Sequence, residues 1–183
     1  MRLPILELRR ILTDVEIDER RPIRVPMQSA EIFGPLMRGL EVEVALALLL
    51  DSRHAPVGVV EVARGALNVV HIGPRELFRV AIHLGCAALV MGHNHPSGDV
   101  IPSEDDVALT TRMRAAGELL SISVLDHLVV GDTDVFSFTA GRRFRWSSPA
   151  SGVESPVPIA LFPSAAPVLA IEQEEGGDDA GAA

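Results

Sequence analysis

The sequence predicts an α/β (α+β) fold, a mixed β-sheet flanked by helices with a chemically active site at the strand ends. Apolar runs of strand length recur, above all at residues 43–50 and 87–91, bounded by Gly or turn residues. Segments with the apolar spacing of amphipathic helices alternate with them. The chain has 183 residues, 48% of them hydrophobic, which suits one domain with a buried core and tails.

Residues 1–25 read as an arm, with 4–12 a short helix or strand and 14–21 strongly charged. The domain is assigned to residues 26–146. Ser29 suits the N-cap of a helix over 30–38 that stops near Gly39. Residues 43–50 make a strand that is wholly apolar after Glu43, hence central. A turn over 51–56 leads to strands at 57–62 and 66–72, with His54 and His71 on the surface or in loops. Pro74 suits the first turn of a helix over 74–84. Leu77, Phe78, Ala81, Ile82 and Leu84 form its packing stripe, and His83 sits at the rim.

Residues 87–91, between Gly85 and Gly92, read as a buried strand, and Cys86 as a small buried filler. A helix follows from Glu104 to about 118–120, with Leu109, Met113, Ala116 and Leu120 on one side. Strands at 122–125 and 128–130 are separated by Asp126-His127, and 136–138 adds an edge strand. From Ser147, Pro, Ala, Gly, Ser and acids dominate without helical periodicity. Residues 147–183 are therefore expected to be disordered, with 159–162 and 168–171 as short apolar points that could dock on a partner.

Charge narrows the function. The chain has 16 Arg and no Lys against 25 acids, for a net charge of −9. Residues 147–183 hold six acids and no base, so the first 146 residues carry 16 against 19. That is not the basic footprint of a nucleic-acid-binding domain. Arg20, Arg21 and Arg24 cluster early, and Arg142, Arg143 and Arg145 late, both read as solvated surface. No apolar run reaches the ~18 residues of a transmembrane helix, and the N-terminus lacks a signal peptide's pattern. A single Cys excludes an intrachain disulfide framework and a Cys-based zinc cluster. The expected location is cytoplasmic.

The chemistry concentrates between Met91 and Asp106. His93 and His95 are two apart, Ser103 follows eight residues later, and Asp106 three after that. If the strand continues through them, the two imidazoles share a face. Pro96-Ser97-Gly98-Asp99 forces a turn, and Asp106 falls in the first turn of the next helix, able to face back. Two His and one carboxylate leave a tetrahedral metal one open position. Ser103-x-x-Asp106 also resembles a capping box, which needs no metal, and both readings can hold together. Asn94 points to the other strand face and is assigned to fixing the turn.

His93-x-His95, seven intervening residues, Ser103, two more and Asp106 resemble the JAMM motif of the JAB/MPN metallopeptidase fold. His93-Asn94-His95-Pro96-Ser97-Gly98 with Pro102-Ser103, and Leu125-Asp126-His127-Leu128-Val129-Val130-Gly131, are similar to its bacterial RadC-like branch. The resemblance covers about residues 22–140. It implies a zinc-dependent hydrolase fold related in architecture to cytidine deaminases. The branch name carries an association with DNA repair. Many members carry an N-terminal helix-hairpin-helix region, and no such pattern is legible here.

The expected function is a zinc-dependent metallohydrolase, a metallopeptidase or isopeptidase, with one Zn2+ per chain on His93, His95 and Asp106. Iron or manganese could occupy such a ligand set. Zinc would lower the pKa of a bound water from about 15.7 toward 7. The family motif implies that Ser103 donates to the developing oxyanion, a contribution of about 3 kcal/mol. A general base must be a Glu outside the ligands, and Glu41, Glu43 and Glu61 are available. Periodicity does not separate Glu41 from Glu43, but Glu43 directly opens the apolar run, and the resemblance places the base there. His127 reads either as a strand-end histidine bonded to backbone, which we favour here, or as a group beside the metal.

A non-catalytic MPN-type scaffold and a DNA-repair-associated nuclease are the alternatives, and charge disfavours the second. A deaminase would need His-x-Glu with Pro-Cys-x-x-Cys, which one Cys cannot supply. The expected partner is a peptide or protein substrate, with a homodimer as a further alternative and no membrane.

Overall fold

The computed structural model describes residues 21–65 and 72–145. The expectations for the arm up to residue 20, the strand at 66–72 apart from Ile72, His71 and the tail from 146 onward lie outside the described residues. The elements are α1 (Pro26–Met37), β1 (Glu43–Leu50), β2 (Pro56–Gly65), α2 (Pro74–His83), β3 (Ala88–Asn94), α3 (Glu104–Leu120), β4 (Ser123–Val130), β5 (Asp134–Ser137) and β6 (Arg142–Arg145).

The strands form one mixed sheet in the order β2-β1-β3-β4-β5-β6. β3 and β4 run parallel, and the other neighbours are antiparallel. A parallel pair needs a long crossover, and α3 provides it. β1 is central as expected, with Val44–Leu50 all buried. Its alternate residues feed two cores. Val44, Leu46, Leu48 and Leu50 pack with Phe33 and Met37 of α1 and with Val90, Leu128 and Val130. Ala45, Ala47 and Leu49 pack with Leu77 and Phe78 of α2, Met113 of α3, and Leu89 and Met91. Helices thus cover both faces of a mixed sheet, the JAB/MPN-like architecture. Among the described residues no helix is long and apolar enough to cross a membrane.

Several boundaries differ from expectation for identifiable reasons. α1 starts a turn earlier than Ser29 implied. Pro26 opens the helix, and the Gln28 side chain accepts from Arg24 N and Val25 N at 2.7 and 3.1 Å. Ser29 is buried inside the helix and caps nothing. Ile82 and Leu120, assigned to packing stripes, are 55% and 43% exposed. On α3 the expected Met113 is buried and Leu109 and Ala116 pack against the core, while Asp106, Thr110 and Gly117 are the other buried positions.

The strands expected at 122–125 and 128–130 are one strand, β4, with a register slip opposite Leu89 and Val90. Asp126 stays buried there because its carboxylate accepts from His127 N, Ser137 Oγ and Thr139 N at 2.8, 2.5 and 2.9 Å. The strand expected at 136–138 is β5, and it is not the edge, because β6 pairs outside it. Of the late arginines, Arg142, Arg143 and Arg145 are exposed on β6.

Gly92 marks the point where α1 presses on the strand that carries the site. A Cβ there would lie 2.7 Å from Cδ2 of Phe33, whose ring is fully buried. Gly92→Ala is expected to cost about 1–3 kcal/mol through overpacking. Thermal unfolding should show a midpoint lowered by several degrees, and an unchanged midpoint would mean that the ring moves aside freely.

Candidate metal centre

β3 continues three residues past the expected apolar run, so His93 extends the alternation toward the α2–α3 face and His95 stands just beyond the strand end. Backbone and side-chain bonds fix the turn that follows. Gly98 N donates to His95 O at 2.9 Å, with Gly98 at φ +77°, a conformation glycine adopts without penalty. The His95 ring bonds Asp99 O through Nδ1 at 2.8 Å. A carbonyl only accepts, so Nδ1 carries the proton and Nε2 is left with its lone pair.

Ser103 caps α3. Its Oγ accepts from Asp106 N at 3.2 Å, while Asp106 Oδ2 accepts from Ser103 N at 2.8 Å and from the Ser103 hydroxyl at 2.7 Å. The capping box and the candidate site therefore share one carboxylate. It also turns Asp106 toward both imidazoles.

His93, His95 and Asp106 each offer one donor atom, all within 4.8 Å of one another. His93 Nε2 lies 3.0 Å from His95 Nε2 and 3.1 Å from Asp106 Oδ1, and His95 Nε2 lies 3.5 Å from Asp106 Oδ2. Ligands about 2.0–2.1 Å from a tetrahedral ion stand roughly 3.3 Å apart. The nitrogen–nitrogen separation and each nitrogen's nearest carboxylate oxygen, Oδ1 for His93 and Oδ2 for His95, lie near that value, so the three residues suit a zinc-sized ion. The donor chemistry agrees, being two imidazole nitrogens and a carboxylate oxygen.

The electrostatics follow from packing. Burial alone would raise the Asp106 pKa, but the imidazoles of His93 and His95 beside it outweigh burial and hold the carboxyl well below the usual range. The His95 pKa is raised, chiefly by its hydrogen bond with Asp106. Glu43 is half-buried, and burial raises its pKa against the opposing pull of His93 and His95. Ala45 pairs with His93, so Glu43, two residues away on the same face, sits beside the imidazoles. The other two glutamates do not. Glu41 is exposed. Glu61 pairs with Leu46 on the α1 face and holds the Arg64 guanidinium at 2.7 and 3.0 Å.

Two neighbouring side chains have roles other than those expected. Asn94 does not fix the turn. Its Oδ1 accepts from Val44 N at 2.8 Å and its Nδ2 donates to Val42 O at 3.0 Å. It thereby clamps both peptide groups that flank Glu43 and ties that residue to the end of β3. His127 is not a strand-end histidine bonded to backbone. It is buried, stacked on Phe138 with ring centroids 4.9 Å apart, and its Nε2 lies 2.9 Å from His93 Nδ1. Its Nδ1 lies 2.6 Å from Thr110 Oγ1. The sequence reading missed Thr110, although it lies four residues after Asp106, one helical turn on and on the same face.

A family model and several curated proteins match the chain. A family model described as RadC-like JAB domain matches residues 23–144. A "UPF0758 protein" of Desulforamulus reducens is 41% identical over 127 residues, covering 69% of this chain and 56% of that protein. A "UPF0758 protein" of Pelobacter propionicus is 41% identical over 113 residues, covering 62% and 49%. One of Finegoldia magna is 36% identical over 143 residues, covering 73% and 64%. The chain thus spans between 49% and 64% of the length of these curated relatives.

Proposed function

Since the chain belongs to the RadC-like JAB domain family, we propose that it is a zinc-dependent hydrolase of metallopeptidase type, cleaving a peptide or isopeptide bond in a peptide or protein substrate. The observation that carries this reading is the cluster of two imidazoles and a carboxylate, with ligand atoms within 4.8 Å of one another and a half-buried Glu43 beside it. When bound, zinc supplies Lewis-acid polarisation and makes a nucleophile of water near neutral pH.

The chain's own residues do the rest. His93 and His95 present neutral Nε2 atoms, and Asp106 brings a negative charge that offsets part of the ion's. Glu43, half-buried beside the imidazoles, takes a proton from the attacking water and delivers it to the leaving nitrogen. Ser103 now gives its hydroxyl proton to Asp106 Oδ2. Rotation about its Cβ–Oγ bond frees that proton for a developing oxyanion, while Ser103 N keeps its hold on the carboxylate.

The hydroxyl's present commitment to Asp106 is the one observation that favours the alternative, a scaffold that keeps the ligands without turning over substrate. Elemental analysis of the purified protein, paired with a screen of peptide and isopeptide substrates, decides between them. About one zinc per chain with hydrolysis is the expected result. No transition metal even after supplementation would sink the reading, and metal without hydrolysis of any substrate would support the scaffold.

A further inference from the structure

A buried hydrogen-bonded chain runs behind the candidate ligands. His93 Nδ1 lies 2.9 Å from His127 Nε2, His127 Nδ1 lies 2.6 Å from Thr110 Oγ1, and Thr110 Oγ1 lies 2.6 Å from Asp106 O. Register explains the meeting. His127 pairs with Met91, which places both its ring and His93 on the face that α3 covers. Thr110 is on the buried side of α3, one turn after Asp106. His127 and Thr110 are 1% and 4% exposed, so water does not replace these partners.

Only one end of the chain has a fixed polarity. Asp106 O is a carbonyl and can only accept, so it takes the Thr110 hydroxyl proton. Thr110 Oγ1 then accepts from His127 Nδ1–H, and His127 Nε2 keeps its lone pair. That lone pair can only accept from His93 Nδ1–H. His93 Nε2 is thereby left unprotonated, on the atom that faces His95 and Asp106. Reversing the direction would make His127 donate to His93 Nδ1 and put the proton on Nε2, where it would block a metal.

We infer that His127 and Thr110 are positioning residues that fix the metal-binding tautomer of His93 and anchor its ring to the backbone of Asp106. The inference rests on the metal reading of the same site. It goes beyond that reading by assigning two residues that touch neither metal nor substrate. Such outer partners typically tune metal affinity by about 10–100-fold.

The test is zinc affinity, measured by competition with a chromogenic chelator on the full chain. His127→Phe keeps an aromatic ring against Phe138 but removes the acceptor, and it should weaken zinc by about 10–100-fold. Thr110→Val is nearly isosteric and should weaken zinc by roughly 10-fold, whereas Thr110→Ser should restore it. Should His127→Phe fail to fold, long-range 1H–15N spectra of the zinc-loaded parent chain read the tautomers directly. His127 is expected to be protonated on Nδ1 and bare on Nε2, with His93 protonated on Nδ1. Folded variants that bind zinc as tightly as the parent would overturn the inference while leaving the metal site standing, and so would His127 protonated on Nε2. A parent chain that takes up no metal would overturn the metal reading and this inference with it.

Discussion

Glu43→Gln is expected to lower turnover by about 10²-fold or more while leaving zinc content and thermal unfolding unchanged. The amide has the size of the carboxyl but cannot accept the proton. The backbone around it is held independently of the side chain, by pairing with Gly65 and by the Asn94 clamp on Val42 O and Val44 N. Loss of activity would therefore report lost chemistry rather than lost structure. In the metal-free chain burial raises the Glu43 pKa against the opposing pull of His93 and His95. Glu41→Gln and Glu61→Gln serve as controls and should change turnover little, since Glu41 is exposed and Glu61 is paired with Arg64 on the opposite face. Full activity in Glu43→Gln with loss in either control would move the base elsewhere. No effect from any of the three would favour the scaffold.

Why the sequence revealed the donor triad but not its supports comes down to range. The triad lies within fourteen residues, so alternation in β3 and the first turn of α3 are enough to bring it together. β1 was legible because an uninterrupted apolar run has few places to go but the middle of a sheet. Asn94 was misassigned because strand alternation gives the side of a residue and not its partner. What lies across from it is the entry of β1, fifty residues away in the chain. His127 was undervalued for a related reason. Asp126-His127 looked like a break because two polar residues interrupt an apolar stretch, and the groups that satisfy them, Ser137, Thr139, His93 and Thr110, come from three other segments. Exposed Ile82 and Leu120 show the reverse limit. Helical spacing puts them on an apolar stripe, but α2 and α3 bury only the positions that reach the sheet.

His95→Ala should remove most of the bound metal, because it leaves only two of three protein ligands. His95 also sets a pH signature that distinguishes this site from adventitious binding. In the metal-free chain its pKa is raised above 6.5, mainly by Asp106. The stability it contributes is fully present below 6.5 and is lost as pH rises through the folded-state value. The depressed Asp106 contributes stability that is present above 3.8 and is lost only as pH falls through its low folded-state value. The metal-free chain therefore gains from this pair in the acid window between those limits. Metal binding demands the neutral imidazole and competes with the proton, so it weakens as pH drops through the raised His95 pKa. The two trends reinforce each other. The difference in unfolding midpoint between zinc-loaded and chelator-treated protein should widen from about pH 5 to about pH 8. In His95→Ala the difference should be small. Differential scanning calorimetry with zinc and with chelator measures both. A difference that narrows as pH rises, or one that survives intact in His95→Ala, would place the metal away from His95.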